Sequence, residues 1–260
     1  MLKACRDIRE HILRVSYGSN NGHIPSCFSI VETLYALYEF MNHRPKEPQW
    51  EARDIFILSK GHGSLGYYCV LAEFGYFDKE DVYSFGRYKA TFGCHADRLK
   101  IPGVEASTGS LGHGIGLAVG MALAIKIKKE DRAVYTLIGD GESNEGSVWE
   151  AVLVAKSLNL NNLTIIYDNN MSHERGLQIH NPHKHFEGFG CDTYRCNGHD
   201  VNELKKLFAI KSDTVKVIVA DTVKGCGCKT FTDNHYAWHR RSPKEQELEQ
   251  LLKELHESAV

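Results

Sequence analysis

The residues with the clearest chemical potential are a carboxylate and an amide that lie 30 positions apart. Asp140 stands between two glycines directly after the apolar run 133–138, and Asn170 follows the apolar run 163–167. An interval of this length holds one strand–helix–strand unit, so we expect both side chains at the tips of neighbouring parallel strands. Carboxylate and amide oxygens are hard ligands that suit Mg²⁺ or Ca²⁺. The spacing therefore predicts a divalent-metal site.

The glycines beside Asp140 extend this prediction to an anionic ligand. Gly139 and Gly141 allow backbone N–H groups to approach a phosphate closely, and a helix predicted over about 147–158 would direct its positive end there. Mg²⁺ held by few protein groups completes its octahedron with phosphate oxygens and water. Since Gly-Asp-Gly also forms ordinary turns, the joint pattern, and not the tripeptide alone, predicts a metal-bridged diphosphate.

Five apolar runs are expected to form the strands of one parallel sheet. They alternate with helical patterns, which is typical of an α/β fold with helices on both faces of a parallel sheet. Such sheets bind ligands at the carboxyl ends of their strands. The length of 260 residues favours a single domain over 1–260. The predicted strands are 54–58, 133–138, 163–167, 191–196 and 215–220, and a loop is predicted over 18–26.

Composition and charge exclude several function classes. The net charge of -2 offers no electrostatic footprint for nucleic acid. No run of 18 apolar residues occurs and the N-terminus mixes charged with apolar residues, so we expect neither a membrane span nor a signal peptide, and predict a cytoplasmic location. The cysteines are expected to be buried thiols. A zinc site is the alternative, although its four candidates lack paired C-x2-C spacing. Those candidates are Cys191, Cys196, Cys226 and Cys228.

Two segments together resemble a known family. The Gly-Asp-Gly segment and the Asn-Asn pair at 169–170 resemble the signature of the thiamine-diphosphate enzymes, and the segment 102–114, PGVEASTGSLGHG, resembles the transketolase branch of that superfamily. The resemblance implies a thiamine-diphosphate-binding fold of the diphosphate-binding type. Shorter matches extend it along essentially the whole chain. They are Asn21-Gly22-His23, 58–63, Cys94-His95, 197–200 and Trp238-His239.

The resemblance also implies cofactors and individual roles. The cofactors would be thiamine diphosphate and Mg²⁺ or Ca²⁺. The implied metal ligands are Asp140, Asn170 and the main-chain carbonyl of Ser172. The implied cofactor contacts are His62 and Gly141 at the diphosphate, together with Asn170, and Gly109 and Leu111 at the aminopyrimidine. The implied catalytic residues are His23, His95 and His239 facing the thiazolium and the donor ketose, and Glu145 at a subunit interface beside the partner's catalytic glutamate.

The histidines also have a physical rationale of their own. Ketol transfer needs groups that exchange hydrogen bonds with sugar hydroxyls and move protons near neutral pH, and imidazole does both. Other histidines occupy a polar loop without a matching pattern, and we expect them to be mostly solvated. These are His173, His180, His183 and His185.

A second polypeptide is implied as well. In transketolases the glutamate that activates the cofactor lies in the following domain, for which 260 residues leave no room. We therefore expect a partner, the C-terminal, pyrimidine-binding transketolase subunit, in an α2β2 heterotetramer. Its reaction would transfer a two-carbon ketol unit from a ketose donor to an aldose acceptor, with sugars or sugar phosphates as substrates. No nucleic-acid or membrane partner is expected.

Three departures from the family pattern bear on the substrate. Ile24-Pro25-Ser26-Cys27 replaces the usual glycines, Arg240 stands where glycine is usual, and the loop 170–190 is shorter than typical. Arg240 would either add a cation near the substrate or point into solvent, and solvent is favoured. Two alternatives stay open: the α subunit of a 2-oxo acid dehydrogenase, against which the segment 108–114 argues, and a non-catalytic partner subunit.

Overall fold

In the computed structural model, which describes residues 1–258, five strands form one parallel sheet. The end of the predicted domain at Val260 lies outside the described residues. The spatial order is β1-β2-β3-β5-β4 and every neighbouring pair is parallel, so the predicted sheet is confirmed. The strands are β1 (Ile55–Leu58), β2 (Val134–Gly139), β3 (Leu163–Asn169), β4 (Asp192–Asn197) and β5 (Lys216–Asp221).

Helices cover both faces of this sheet, as predicted. In a strand successive side chains point to opposite faces. Tyr135 and Leu137 of β2 pack into one core and Val134 and Ile138 into another. The α-helices in the described residues are α1 (Lys3–Ser19), α2 (Ile24–Phe28), α3 (Val31–Phe40), α4 (Ser64–Glu73), α5 (Gly114–Lys128), α6 (Gly146–Ser157), α7 (Pro182–Gly188), α8 (Val201–Ala209), α9 (Lys229–Asp233) and α10 (Glu245–Glu257). The first core also receives α1, α3, α4, α8 and α10, and the second receives α5, α6 and α7.

The predicted loop over 18–26 is wrong in its bounds. Helix α1 continues to Ser19 and α2 begins at Ile24, with Pro25 in its first turn. Proline is tolerated there because its missing N–H would have no partner within the helix. The connection is thus only four residues long, and His23 ends it directly before α2.

None of the helices in residues 1–258 is long and apolar enough to cross a lipid bilayer.

A buried ion pair joins α1 to α3. Arg9 is fully buried and Glu32 is 3% exposed, and the guanidinium binds both carboxylate oxygens, with Nη2 2.7 Å from Oε2. Burial would raise the pKa of Glu32, but the charge of Arg9 lowers it to about 2. The contribution of Glu32 to stability is therefore fully present above its unfolded pKa of about 4.3 and is lost as the pH falls towards 2.

We expect Glu32→Gln to lower the free energy of unfolding at pH 7 by about 3–5 kcal/mol, because it leaves the Arg9 charge buried without its counterion. Urea denaturation measures the change. The matched control on the same helix is Glu39→Gln, which removes an exposed pair with Lys205 worth less than about 1 kcal/mol. Equal losses in the two variants would contradict the assignment.

Candidate active site

A cavity of about 460 Å³ opens at the carboxyl ends of the strands. It gathers all of the predicted site residues except Glu145, which lies exposed at the start of α6. The lining residues that the sequence singled out are His23, His62, His95, Gly109, Leu111, Asp140, Gly141, Asn170, Ser172 and His239. Their convergence follows from the parallel topology, which brings all strand ends of one kind to one edge.

Asp140 follows β2 directly and is 1% exposed. Its Oδ1 accepts a hydrogen bond from the Gly141 N–H at 2.6 Å, whereas Oδ2 is buried and has no hydrogen-bond partner among residues 1–258. Burial raises the pKa of this carboxyl, and the charge of Asp168 raises it further. A cation at Oδ2 would offset both effects, so the carboxylate fits a metal ligand.

Asn170 is held with its oxygen in a defined direction. Its Nδ2 donates to Asp168 at 2.8 Å and to Ser29 Oγ at 3.1 Å, while Oδ1 accepts from the Ser172 N–H at 3.0 Å. The oxygen keeps a second lone pair for a ligand. An added Cβ at Gly141 would meet no neighbour nearer than the Ser172 Cβ at 4.0 Å, which leaves open space beside Asp140. These residues therefore fit a metal-bridged diphosphate.

Asp168 is a residue whose role the sequence reasoning missed. It is 1% exposed, and its Oδ2 accepts hydrogen bonds from Lys60 Nζ at 2.5 Å and from Ser29 Oγ at 2.9 Å, besides that from Asn170. Its Oδ1 accepts from Thr222 Oγ1. Asp168 thus joins the ends of β1, β3 and β5. A charged residue at the tip of a buried strand, with a lysine at the tip of another, was the available signal.

Glu142 was missed in the same way. It is 2% exposed, and burial raises its pKa. Its Oε1 accepts from Ser59 Oγ at 2.5 Å and from the Gly112 N–H at 2.9 Å, and its Oε2 accepts from the Gly139 N–H at 3.1 Å. The segment 109–114 is thereby fixed against the ends of β1 and β2.

Gly61 allows the same segment to approach β1. A Cβ at this position would lie 2.7 Å from the backbone nitrogen of Gly109, which is too close for any side chain. The two loops therefore touch through backbone atoms.

Lys224 adds a second buried cation that the sequence reasoning did not single out. It is 3% exposed, and its Nζ donates to Ser172 Oγ at 2.6 Å and to His239 Nδ1 at 3.2 Å. Burial lowers its pKa to about 8. Its two partners line the cavity, so Lys224 places a positive charge directly behind that wall, where it would attract an anionic ligand.

Three of the predicted histidines form a cluster. The ring centroids of His23 and His239 lie 5.3 Å apart and those of His23 and His62 5.4 Å apart. Burial and neighbouring cations lower the pKa of His23 to about 4 and that of His62 well below its usual value. These imidazoles are therefore neutral at pH 7 and able both to donate and to accept. His95 lies exposed at the cavity rim.

The prediction that His173 is mostly solvated is wrong. This side chain is 3% exposed, and its Nδ1 lies 2.9 Å from Oδ2 of Asp140. The chain reverses at Met171, which adopts a left-handed conformation with φ of 59°, and Glu174 N donates to the Met171 carbonyl at 3.1 Å. Local backbone geometry, which no side-chain pattern revealed, thus turns His173 inward. His180 and His185 are exposed as predicted, and His183 is half-buried.

Arg240 is exposed, as favoured, and it also lines the cavity mouth. It forms no salt bridge with any residue in 1–258. The neighbouring Arg241 behaves differently, because it pairs with Glu247 and stacks on Trp238 at 4.0 Å from the ring centroid.

The cysteines carry no zinc site among residues 1–258: no group of three or more acidic, histidine or cysteine side chains converges there. All but Cys94 are buried free thiols, and Cys94 is half-buried at the cavity.

A larger cleft, of about 630 Å³, opens at the amino ends of the strands. Two of its lysines bind backbone carbonyls: Lys126 Nζ donates to the Leu158 carbonyl at the end of α6, and Lys216 Nζ donates to the Phe208 carbonyl at the end of α8. These cations are occupied as helix caps.

Comparisons with known proteins agree with this geometry. Residues 5–257 match the family model described as transketolase, thiamine diphosphate binding domain. One subunit of the apulose-4-phosphate transketolase of Actinobacillus succinogenes is 38% identical over 97% of this chain and 95% of its own length. One subunit of the 6-deoxy-6-sulfo-D-fructose transketolase of a Clostridium species is 35% identical over 90% of this chain and 88% of its own.

Solved structures show the same fold. The transketolase from Campylobacter jejuni superposes with a TM-score of 0.88 at 27% identity, covering 98% of this chain and 43% of that one. The resemblance read from the two sequence segments is confirmed, and it is favoured over the 2-oxo acid dehydrogenase alternative. This chain belongs to the transketolase family and corresponds to its thiamine-diphosphate-binding domain.

Proposed function

We propose that this chain is the diphosphate- and metal-binding subunit of a two-chain transketolase that transfers a two-carbon ketol unit from a ketose to an aldose. The observation that carries the proposal is the buried Asp140 Oδ2, which lies 2.9 Å from His173 Nδ1 without a hydrogen bond, in a residue that lines the same cavity as Asn170. Thiamine diphosphate and Mg²⁺ would be its cofactors. The predicted cytoplasmic location and role in carbohydrate metabolism accompany this proposal.

The cavity residues would bind different parts of the cofactor, according to their positions. Asp140, Asn170 and the Ser172 carbonyl would hold the metal, and Gly141 and His62 would contact the diphosphate. Gly109 and Leu111 would lie against the aminopyrimidine. When bound, thiamine diphosphate supplies an electron sink for breaking the C–C bond of a ketose.

The histidines would bind the sugar through hydrogen bonds. The neutral imidazoles of His23 and His239 donate to and accept from hydroxyls, and His95 at the rim adds a third such group. Lys224 orients His239 through the hydrogen bond to Nδ1, which leaves Nε2 as the ring nitrogen for a sugar hydroxyl. In this arrangement the chain binds and orients the donor.

A partner chain would complete the site. Two relatives that this chain covers almost fully are named as single subunits of a transketolase, whereas it covers 43% of the Campylobacter jejuni transketolase. We infer a pyrimidine-binding partner that supplies the activating glutamate, with Glu145 at the contact in an α2β2 assembly. The exposure of Glu145 at the N-terminus of α6 supports that position.

The function is tested by assaying ketol transfer with the chain alone and with the inferred pyrimidine-binding subunit. We expect transfer only by the two together, because the activating glutamate is proposed to come from the partner. Full-rate transfer by the chain alone would contradict the two-chain proposal. Calorimetry that finds no Mg²⁺-dependent thiamine diphosphate binding by the pair would instead favour a non-catalytic role.

In the active two-subunit complex, Asp140→Ala and His239→Ala are expected to impair different properties, cofactor affinity in the first and catalysis in the second. Removing Asp140 removes the carboxylate that holds the metal charge, so thiamine diphosphate affinity should fall at least about 100-fold. Removing His239 should lower kcat/KM about 10- to 100-fold with cofactor affinity nearly unchanged. Calorimetry and steady-state kinetics separate the two, and an equal loss of cofactor affinity would contradict the roles assigned.

Arg240 is expected to favour donors with an anionic end, because its guanidinium stands at the mouth without an ion pair in the described chain. Two relatives are named for a phosphorylated and a sulfonated sugar, which fits this chemistry. We expect Arg240→Gln to raise KM for fructose 6-phosphate about fivefold relative to fructose. Arg241→Gln, which removes the same charge from a side chain tied to Glu247, is the control and should leave that ratio unchanged.

A further inference from the structure

Two buried polar atoms face each other at the metal end of the cavity without a hydrogen bond. They are Oδ2 of Asp140 and Nδ1 of His173, which lie 2.9 Å apart. Neither has a hydrogen-bond partner among residues 1–258, and their side chains are 1% and 3% exposed. Buried polar atoms are nearly always hydrogen-bonded. Two such atoms without a hydrogen bond, this close together, therefore indicate a bound group that both would contact.

The separation fits two ligands of one cation. Divalent metals bind oxygen and imidazole nitrogen at about 2.0–2.1 Å, so neighbouring ligands at a right angle lie about 3 Å apart. Two such ligands direct their lone pairs at the ion and not at each other, which explains close atoms without a hydrogen bond. A hydrogen bond between the two residues would instead direct an Nδ1–H of the ring at the carboxylate oxygen.

The chain positions this imidazole with the other expected ligands. Asn170, Ser172 and His173 belong to one tight turn, which is closed by Glu174 N donating to the Met171 carbonyl and by Gly176 N donating to the His173 carbonyl at 2.8 Å. Lys224 anchors the turn through Ser172 Oγ. The side chain of His173 is thus turned towards Oδ2 of Asp140 by a braced segment, while His180 of the same loop is exposed.

We propose that His173 is a nitrogen ligand of the metal, additional to the three oxygen donors. This inference rests on the proposed metal-diphosphate site and extends it. Imidazole nitrogen suits transition metals better than it suits Mg²⁺, which prefers oxygen. The site would therefore favour Mn²⁺ or Co²⁺ over Mg²⁺ more strongly than an all-oxygen site does.

The test uses the two-subunit complex loaded with thiamine diphosphate and Mn²⁺. Pulsed electron paramagnetic resonance should show coupling to a directly bound nitrogen, and incorporation of ¹⁵N-histidine should change it. His173→Gln should abolish the coupling, and His180→Ala, the matched control from the same loop, should retain it. A wild-type spectrum without this nitrogen coupling overturns the proposal and needs no variant to do so.

Metal competition gives a second readout. Calorimetry should show that His173→Gln reduces the preference for Co²⁺ over Mg²⁺ about tenfold or more while His180→Ala leaves it unchanged. An unchanged preference in His173→Gln would show that His173 only pairs with Asp140. If wild type binds no metal with thiamine diphosphate, the proposed function fails as well; if it binds metal with no effect of His173, only this inference fails.

Discussion

The geometry of the site depends on one buried ion pair, that between Lys60 and Asp168. Both side chains are almost completely removed from water, at 1% and 2% exposure. Each charge would be costly alone, and removing either partner of such a pair costs about 3–5 kcal/mol. Because Lys60 follows β1 and Asp168 belongs to β3, their attraction fixes the relative position of two strand ends across β2. Asn170 takes its orientation from the same carboxylate.

Glu142 complements this arrangement from the other side of Asp140. Whereas Asp168 gathers side chains, Glu142 accepts from two backbone N–H groups, those of Gly112 and Gly139, and from one hydroxyl. The two buried carboxylates thus have donors on both oxygens, whereas Oδ2 of Asp140 faces His173 Nδ1 at 2.9 Å and accepts no hydrogen bond within residues 1–258. This contrast distinguishes Asp140 from its acidic neighbours and supports the proposed metal site.

Much of this could be predicted from the sequence because it follows from periodicity and spacing. The interval between Asp140 and Asn170 identified adjacent strand ends, and the segment 102–114 identified the family. The inward turn of His173 depends on the left-handed backbone at Met171, which is encoded in no residue pattern. The role of Lys224 arises from packing between segments distant in the chain, and the start of α2 was hidden because Pro25 reads equally well as a loop residue.

Gly61 and Gly141 differ in the constraint that requires glycine at each position. At Gly61 a side chain would strike the backbone of Gly109 even in the empty protein, whereas at Gly141 the space is open. Gly61 is therefore constrained by the fold, and Gly141 only by the molecule that comes to occupy the cavity. Relatives that keep the architecture but no longer bind the cofactor should vary in sequence at the position of Gly141 and retain glycine at that of Gly61. Sequence alone would then identify family members that have lost cofactor binding.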